Sequence, residues 1–92
     1  MWFYTVVLYN SFLNVENSVI EFDSSYQELQ EANARATYLF FMYNPWSYNY
    51  DEMLNETIEK VELSGGLLYY SVTPEGLSTW RVFVVNSDVS SS

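Results

Sequence analysis

The side chains of this chain that could do chemistry are carboxylates, because histidine and cysteine are both absent. Without an imidazole or a thiol, a Ser-His-Asp triad, a cysteine nucleophile and a histidine-ligated metal site are all excluded. Glu56 and Glu59 are close enough in sequence to act as an acid–base pair. Their predicted place on a polar helix face favours two solvated side chains instead. We therefore expect no enzymatic activity, no bound metal and no cofactor.

A second pattern of carboxylates is regular, since Glu52, Glu56 and Glu59 share one side of a predicted helix. With a net charge of −9, such spacing could imitate DNA phosphates, so an acidic inhibitor or effector that docks on a basic protein is one interpretation. A solvated helix face with Glu56 and Lys60 paired four residues apart is the simpler one. The same charge disfavours direct binding to nucleic acid or to an anionic membrane.

Aromatic side chains make up 20% of the chain and are densest between Tyr38 and Tyr50. Helical spacing divides them, so that Phe40 and Tyr43 are predicted to join the core while Tyr38 and Phe41 receive a second helix. Pro45 ends the first helix. The rings that follow this proline lack a predicted internal partner, and they belong to Trp46, Tyr48 and Tyr50.

Hydrophobic periodicity predicts the elements that must position these residues. The predicted strands are 2–9, 18–23, 67–73 and 77–85, and the predicted helices are 26–43 and 51–62. This order, ββααββ, predicts an α+β domain whose four-stranded antiparallel sheet carries two helices on one face. The domain is predicted to span 1–86, followed by a flexible polar tail at 87–92.

Polar residues mark the predicted helix starts. Ser24 or Ser25 is a candidate N-cap, with Glu28 as the capping-box partner of Ser25. Asn49 or Asp51 is the candidate cap of the second helix.

The first and last predicted strands are apolar in both registers, which is unusual for a sheet covered on one face only. Two helices cannot cover both faces in 92 residues, so we expect a homodimer formed through an aromatic-rich sheet face. A monomer whose rings pad the core and an apolar small-molecule pocket between helices and sheet are the alternatives. The predicted interface residues are Trp2, Tyr4, Tyr69 and Trp80 on the sheet, Trp46 and Tyr48 in the loop, and Arg81 as a cation for a carboxylate or ring.

Two short motifs accompany this order of elements. They are Ala32-Asn33-Ala34-Arg35-Ala36 in the first helix and Trp80-Arg81-Val82-Phe83-Val84 in the last strand. With them, the chain resembles small uncharacterised intracellular proteins of filamentous fungi, although its aromatic middle loop replaces a more polar connection. The resemblance implies the α+β fold and no assigned activity. The lack of cysteine likewise favours an intracellular location, cytoplasmic or nuclear, and the apolar N-terminus fits neither a signal peptide nor a membrane span.

Overall fold

The computed structural model describes residues 2–11 and 18–88, with the backbone alone for Trp2 and Asp88. Its strands are β1 (Trp2–Ser11), β2 (Ser18–Tyr26), β3 (Ile58–Glu62), β4 (Leu68–Val72) and β5 (Thr79–Asp88), and its helices are α1 (Leu29–Met42) and α2 (Tyr50–Leu54). The strands form one antiparallel sheet in the order β2-β1-β5-β4-β3. The two long strands β1 and β5 therefore lie side by side at its centre.

The predicted α+β class with an antiparallel sheet and two helices is confirmed, but the sheet has five strands and not four. The predicted second helix over 51–62 is wrong in its second half, because α2 ends at Leu54 and Ile58–Glu62 forms the edge strand β3. The order is therefore ββααβββ.

The error over β3 has a physical cause. Ile58 and Val61 are three residues apart, a spacing that suits one face of a helix. In the structure Ile58 pairs with Val72 and Val61 pairs with Tyr69, so the backbone groups of this segment bond across a ladder to β4. As an edge strand with charged side chains on both faces, β3 lacks the alternation that identifies a strand.

Helix α1 starts later than predicted because β2 continues to Tyr26. The hydroxyl of Ser25 lies 2.8 Å from that of Thr5 across the β1–β2 ladder, so it does not cap the helix. The N-cap residue is Glu28, which makes no side-chain cap hydrogen bond.

The predicted cap of α2 is confirmed at Asn49. Its side-chain oxygen accepts a hydrogen bond from the Glu52 N–H at 2.8 Å, and the Glu52 carboxylate accepts one from the Asn49 N–H at 3.2 Å. This reciprocal capping box explains how a helix of five residues is held in place.

Helix α1 packs against one face of the sheet, chiefly over β5 and β1. Ala32 and Ala36 are fully buried, and their small side chains allow close approach to the strands. Phe40, also fully buried, stacks on the Tyr70 ring with centroids 4.9 Å apart. The indole N–H of Trp80 donates to the Phe40 carbonyl at 3.0 Å, which ties β5 to α1. We call this side of the sheet the covered face; its core residues are Val6, Leu8, Tyr70, Val72, Trp80, Val82 and Val84.

The last strand extends beyond the predicted end of the domain. Strand β5 reaches Asp88, where it pairs with Trp2, so the sheet extends past the predicted limit at residue 86. The rest of the predicted tail, 89–92, lies outside the described residues.

Among 2–11 and 18–88, neither helix has the length and apolar character needed to cross a membrane.

Candidate interaction surface

Strand register decides which side chains face away from α1. Val6 and Leu8 lie in the core beneath the helix, so Val7 and Tyr9 point to the other side of the sheet. Cross-strand partners extend this assignment to all five strands. We call this second side the open face; its apolar and charged members are Phe3, Val7, Tyr9, Ile20, Phe22, Glu59, Val61, Tyr69, Arg81, Phe83 and Val85.

An unbroken apolar row crosses the open face at its centre. The register places Val61, Tyr69, Phe83, Val7 and Phe22 side by side, one from each strand. The Tyr69 and Phe83 rings lie 5.7 Å apart between centroids. Val7 is only 3% exposed because larger side chains flank it, whereas Phe22 at the edge is 73% exposed. Within the described residues, the helices pack on the other side, so no helix covers this row.

The adjacent row carries the charges of the open face. It runs Glu59, Ser71, Arg81, Tyr9 and Ile20 across the same strands. The Arg81 Nε donates to the Ser71 hydroxyl at 3.3 Å, and its guanidinium carbon lies 5.0 Å from the centre of the Tyr9 ring. The cation is thus held by contacts within its own sheet. Of the strand side chains that the structure describes, these two opposite charges alone are on the open face, which is therefore close to neutral.

An ion pair lies at the rim of the covered face. The Arg35 Nε donates to the Asp23 carboxylate at 3.0 Å, and a second guanidinium nitrogen donates to its other oxygen at 3.3 Å. This bidentate contact lowers the pKa of Asp23; burial opposes it, and the hydroxyl of Ser24, which donates at 2.6 Å, adds to it. The pair fastens α1 to the bulged residue of β2.

The predicted sheet residues divide between the two faces. Tyr69 and Arg81 are on the open face, but Trp80 is 4% exposed beneath α1 and Tyr4 packs against the same core. The structure therefore does not bring the predicted set together, and the side chain of Trp2 lies outside what it describes. A hairpin centred on Gly76 makes Tyr69 a partner of Phe83 and Trp80 a partner of Val72, so turn position was the signal that could have separated the faces.

The loop rings have internal partners, contrary to the prediction for Trp46 and Tyr48. Both pack against the core, and their rings lie 5.5 Å apart. Asn44, 7% exposed, holds the loop. Its side-chain oxygen accepts from the Trp46 and Tyr48 N–H groups at 3.2 and 2.8 Å, and its amide nitrogen donates to the Phe41 and Tyr48 carbonyls at 3.0 and 2.8 Å. One side chain replaces the backbone bonds that the loop cannot make.

The other rings of this segment follow the prediction in part. Phe40 is in the core and Phe41 receives α2, as expected. The partner of Phe41 there is Tyr50, with ring centroids 5.1 Å apart, so the prediction that Tyr50 lacks an internal partner is wrong. Tyr43 is 62% exposed, so its predicted core position is wrong. Tyr38 is 56% exposed and is not covered by a second helix as predicted; the guanidinium carbon of Arg35 lies 5.7 Å from its ring centre.

The predicted acidic stripe does not form on a helix. Glu52 caps α2, Glu56 lies in the turn after it, and Glu59 is on β3. Because the helix ends at Leu54, the three carboxylates have no common helical face. The spacing on which the DNA-mimic interpretation depended is therefore absent.

Comparison with known proteins finds no matching family, no matching curated protein and no matching solved structure. The resemblance to fungal proteins is tested by none of these comparisons and stays a prediction.

Proposed function

We propose that this protein is a non-catalytic interaction module that forms a homodimer by packing the open faces of two copies against each other. The observation that carries the proposal is the apolar row Val61, Tyr69, Phe83, Val7 and Phe22, which crosses every strand with no described helix over it. Contiguous apolar surface of this kind is uncommon on monomers and is typical of interaction sites. The absence of histidine and cysteine from the sequence supports a non-catalytic role.

The size of the open face supports a dimer. Strands β1 and β5 are each ten residues long. With a rise of about 3.3 Å per residue and a strand spacing of about 4.8 Å, the whole face covers roughly 600 Å². Two copies would bury about 1,200 Å² in total, at the lower end of the range for specific interfaces. Aromatic side chains are also favoured at the centre of interfaces.

Charge supports a second copy as the occupant. A net charge of −9 makes two copies repel each other over most of their surfaces. The open face is the exception, because Glu59 and Arg81 offset each other there. A twofold dimer brings the same surface of both copies together. Two nearly neutral faces can meet without electrostatic repulsion, whereas two copies of the acidic remainder of the surface would repel each other.

The experiment is analytical ultracentrifugation at low and high micromolar concentration. We expect the wild-type protein to sediment near twice the monomer mass at the higher concentration. Phe22→Glu is the most direct variant, because this ring is 73% exposed and the fold does not depend on burying it. A charge buried without a partner should weaken dimerisation by about 100-fold or more.

Tyr38→Glu is the matched control, because it places the same charge on an exposed ring of α1 away from the open face. The control should dimerise like the wild-type protein. A wild-type protein that remains monomeric at high micromolar concentration contradicts the proposal, and so does a Phe22→Glu variant that dimerises normally.

We further propose an intracellular location, because small secreted domains usually depend on disulfides and this chain has no cysteine. Localisation of a C-terminally tagged protein by fluorescence microscopy tests this, and recovery from the culture medium would contradict it.

A further inference from the structure

A cleft of about 580 Å³ lies on the covered side of the molecule, where the sheet meets the C-terminal end of α1. Leu8, Asn10 and Trp80 lie at its base, Val19 and Glu21 of β2 form one wall, and the loop around Asn44 forms the other. Its volume is within the range of small-molecule sites.

The loop wall of the cleft is rigid. Asn44 uses both its oxygen and its amide nitrogen in four hydrogen bonds, three to the loop backbone and one to the Phe41 carbonyl of α1. At the base, the Trp80 indole N–H is already bonded to the Phe40 carbonyl. These groups shape the cleft without needing a partner from outside, so the site is largely formed before anything binds.

Asn10 is the exception. Its side-chain oxygen is buried and has no hydrogen-bond partner, alone among the side chains that the structure describes. Buried acceptors are normally paired, because an unpaired one loses its bond to water and gains nothing in return. Asn10 lines the base of the cleft, with its oxygen just beneath the surface. A rotation of this side chain would turn the oxygen toward the cleft, where a ligand N–H group would satisfy it.

A negative charge lies close to this oxygen. Asn10 pairs with Val19 and Leu8 pairs with Glu21, so Glu21 is the diagonal neighbour of Asn10 on the same face, about 7–8 Å away. Glu21 is exposed, and the ion pairs described in the structure do not include it. A carboxylate at the rim favours a cationic ligand over a neutral or anionic one.

We propose that the cleft binds a small amphiphilic cation. Its planar apolar body would pack on Leu8, Tyr48 and Trp80, an N–H would donate to the Asn10 oxygen, and its ammonium group would face Glu21. The inference is independent of the dimer, because the cleft and the open face are on opposite sides of the sheet.

The first experiment titrates the ¹⁵N-labelled wild-type protein with tryptamine, 3-ethylindole and indole-3-propionate, which share a ring system but are cationic, neutral and anionic. Amide shifts should map to Leu8, Asn10, Glu21 and Trp80, with tryptamine binding most tightly and indole-3-propionate most weakly. Ligands with roughly a dozen non-hydrogen atoms bind ordinary sites in about the millimolar range. The order of the three affinities, and not their absolute values, is therefore decisive. Equal binding of the three, or shifts elsewhere, would overturn the proposal.

The second experiment separates the two contacts. Asn10→Leu removes the acceptor and should weaken tryptamine binding by about five- to tenfold, while the melting temperature stays the same or rises. Glu21→Gln should weaken tryptamine binding by about two- to fivefold and leave 3-ethylindole binding unchanged.

Glu31→Gln is the matched control for Glu21→Gln, because it makes the same change at an exposed carboxylate in the first turn of α1, at the other end of this helix from the cleft. It should not alter tryptamine binding. Unchanged tryptamine binding by folded Asn10→Leu and Glu21→Gln variants would overturn the proposal.

Discussion

The two faces of the central sheet are built from the same kinds of residue but differ in what lies over them. On the covered face, Val6, Val82 and Val84 are at most 1% exposed beneath α1. On the open face, Phe83 and Val85 alternate with Val82 and Val84 along β5 and have no described helix above them. The difference teaches that apolar side chains of one strand can form the core on one side and an uncovered surface, where we propose association, on the other, and that register decides which side each occupies.

The largest effect should come from removing one ring from each face. Phe40→Ala leaves a cavity under α1 and breaks the stack on Tyr70, so it should lower the free energy of unfolding by about 3–5 kcal/mol. Phe83→Ala on the open face should cost less than half as much in the monomer, because its ring is partly exposed there. Urea denaturation well below the dimer dissociation constant measures both.

In a dimerisation assay, the relative size of the two effects should be reversed, with Phe83→Ala more damaging than Phe40→Ala. Phe83→Ala removes a central ring of the proposed interface and should weaken the dimer by at least about 2 kcal/mol. Equal losses of monomer stability for Phe40→Ala and Phe83→Ala would erase the distinction between the faces.

A middle-sized effect should come from the hydrogen bond that joins β5 to α1. Trp80→Phe keeps a ring beneath the helix but leaves the Phe40 carbonyl without its donor, 3.0 Å away in the native protein. We expect a loss of about 1–3 kcal/mol in unfolding free energy and no change in dimerisation. Impaired dimerisation by a stably folded Trp80→Phe variant would place Trp80 at the interface after all.

The smallest effect concerns the Arg35–Asp23 ion pair at the rim of the covered face. Arg35 lowers the pKa of Asp23 below its ordinary value of 3.8, so the folded state favours the ionised carboxylate. The contribution is complete above pH 3.8 and is lost as the pH falls through the lower pKa of the folded state. Chemical denaturation from neutral pH downward should show wild-type stability converging on that of Asp23→Asn. A gap between the two that stays constant with pH would contradict this.

Residues on central strands were predicted better from sequence than residues at the edges. In β1 and β5 the residues of both faces are apolar, which indicated a sheet with two apolar faces. These strands lie at the centre of the sheet and have a neighbouring strand on each side. Edge strand β3 was mistaken for helix, since its Ile58 and Val61 are spaced as on a helix and its other side chains are charged. Trp46 and Tyr48 were misplaced for another reason: the loop is folded by the side chain of Asn44, and no periodicity reports such a contact.

The residues of the candidate surface could be predicted as a class but not individually. Trp80 and Tyr69 are both large rings in one hairpin, and composition treats them alike. With the turn centred on Gly76 the two rings lie on opposite faces, whereas a slip of one residue in the pairing would put both on the same face. The helix that covers one face then removes Trp80 from the surface and leaves Tyr69 on it.

The two edges of the sheet bear on how large an assembly this protein can build. Strand β2 is interrupted by a bulge at Asp23, where the pairing shifts between Val6 and Val7, and β3 carries Glu59, Lys60 and Glu62 along its length. Bulges and charges both discourage the addition of a further strand from another chain. Despite an aromatic content that would favour fibrils, lateral growth of the sheet is obstructed at both ends. The proposed association through a face is self-limiting, so it would produce a finite assembly and not a growing sheet.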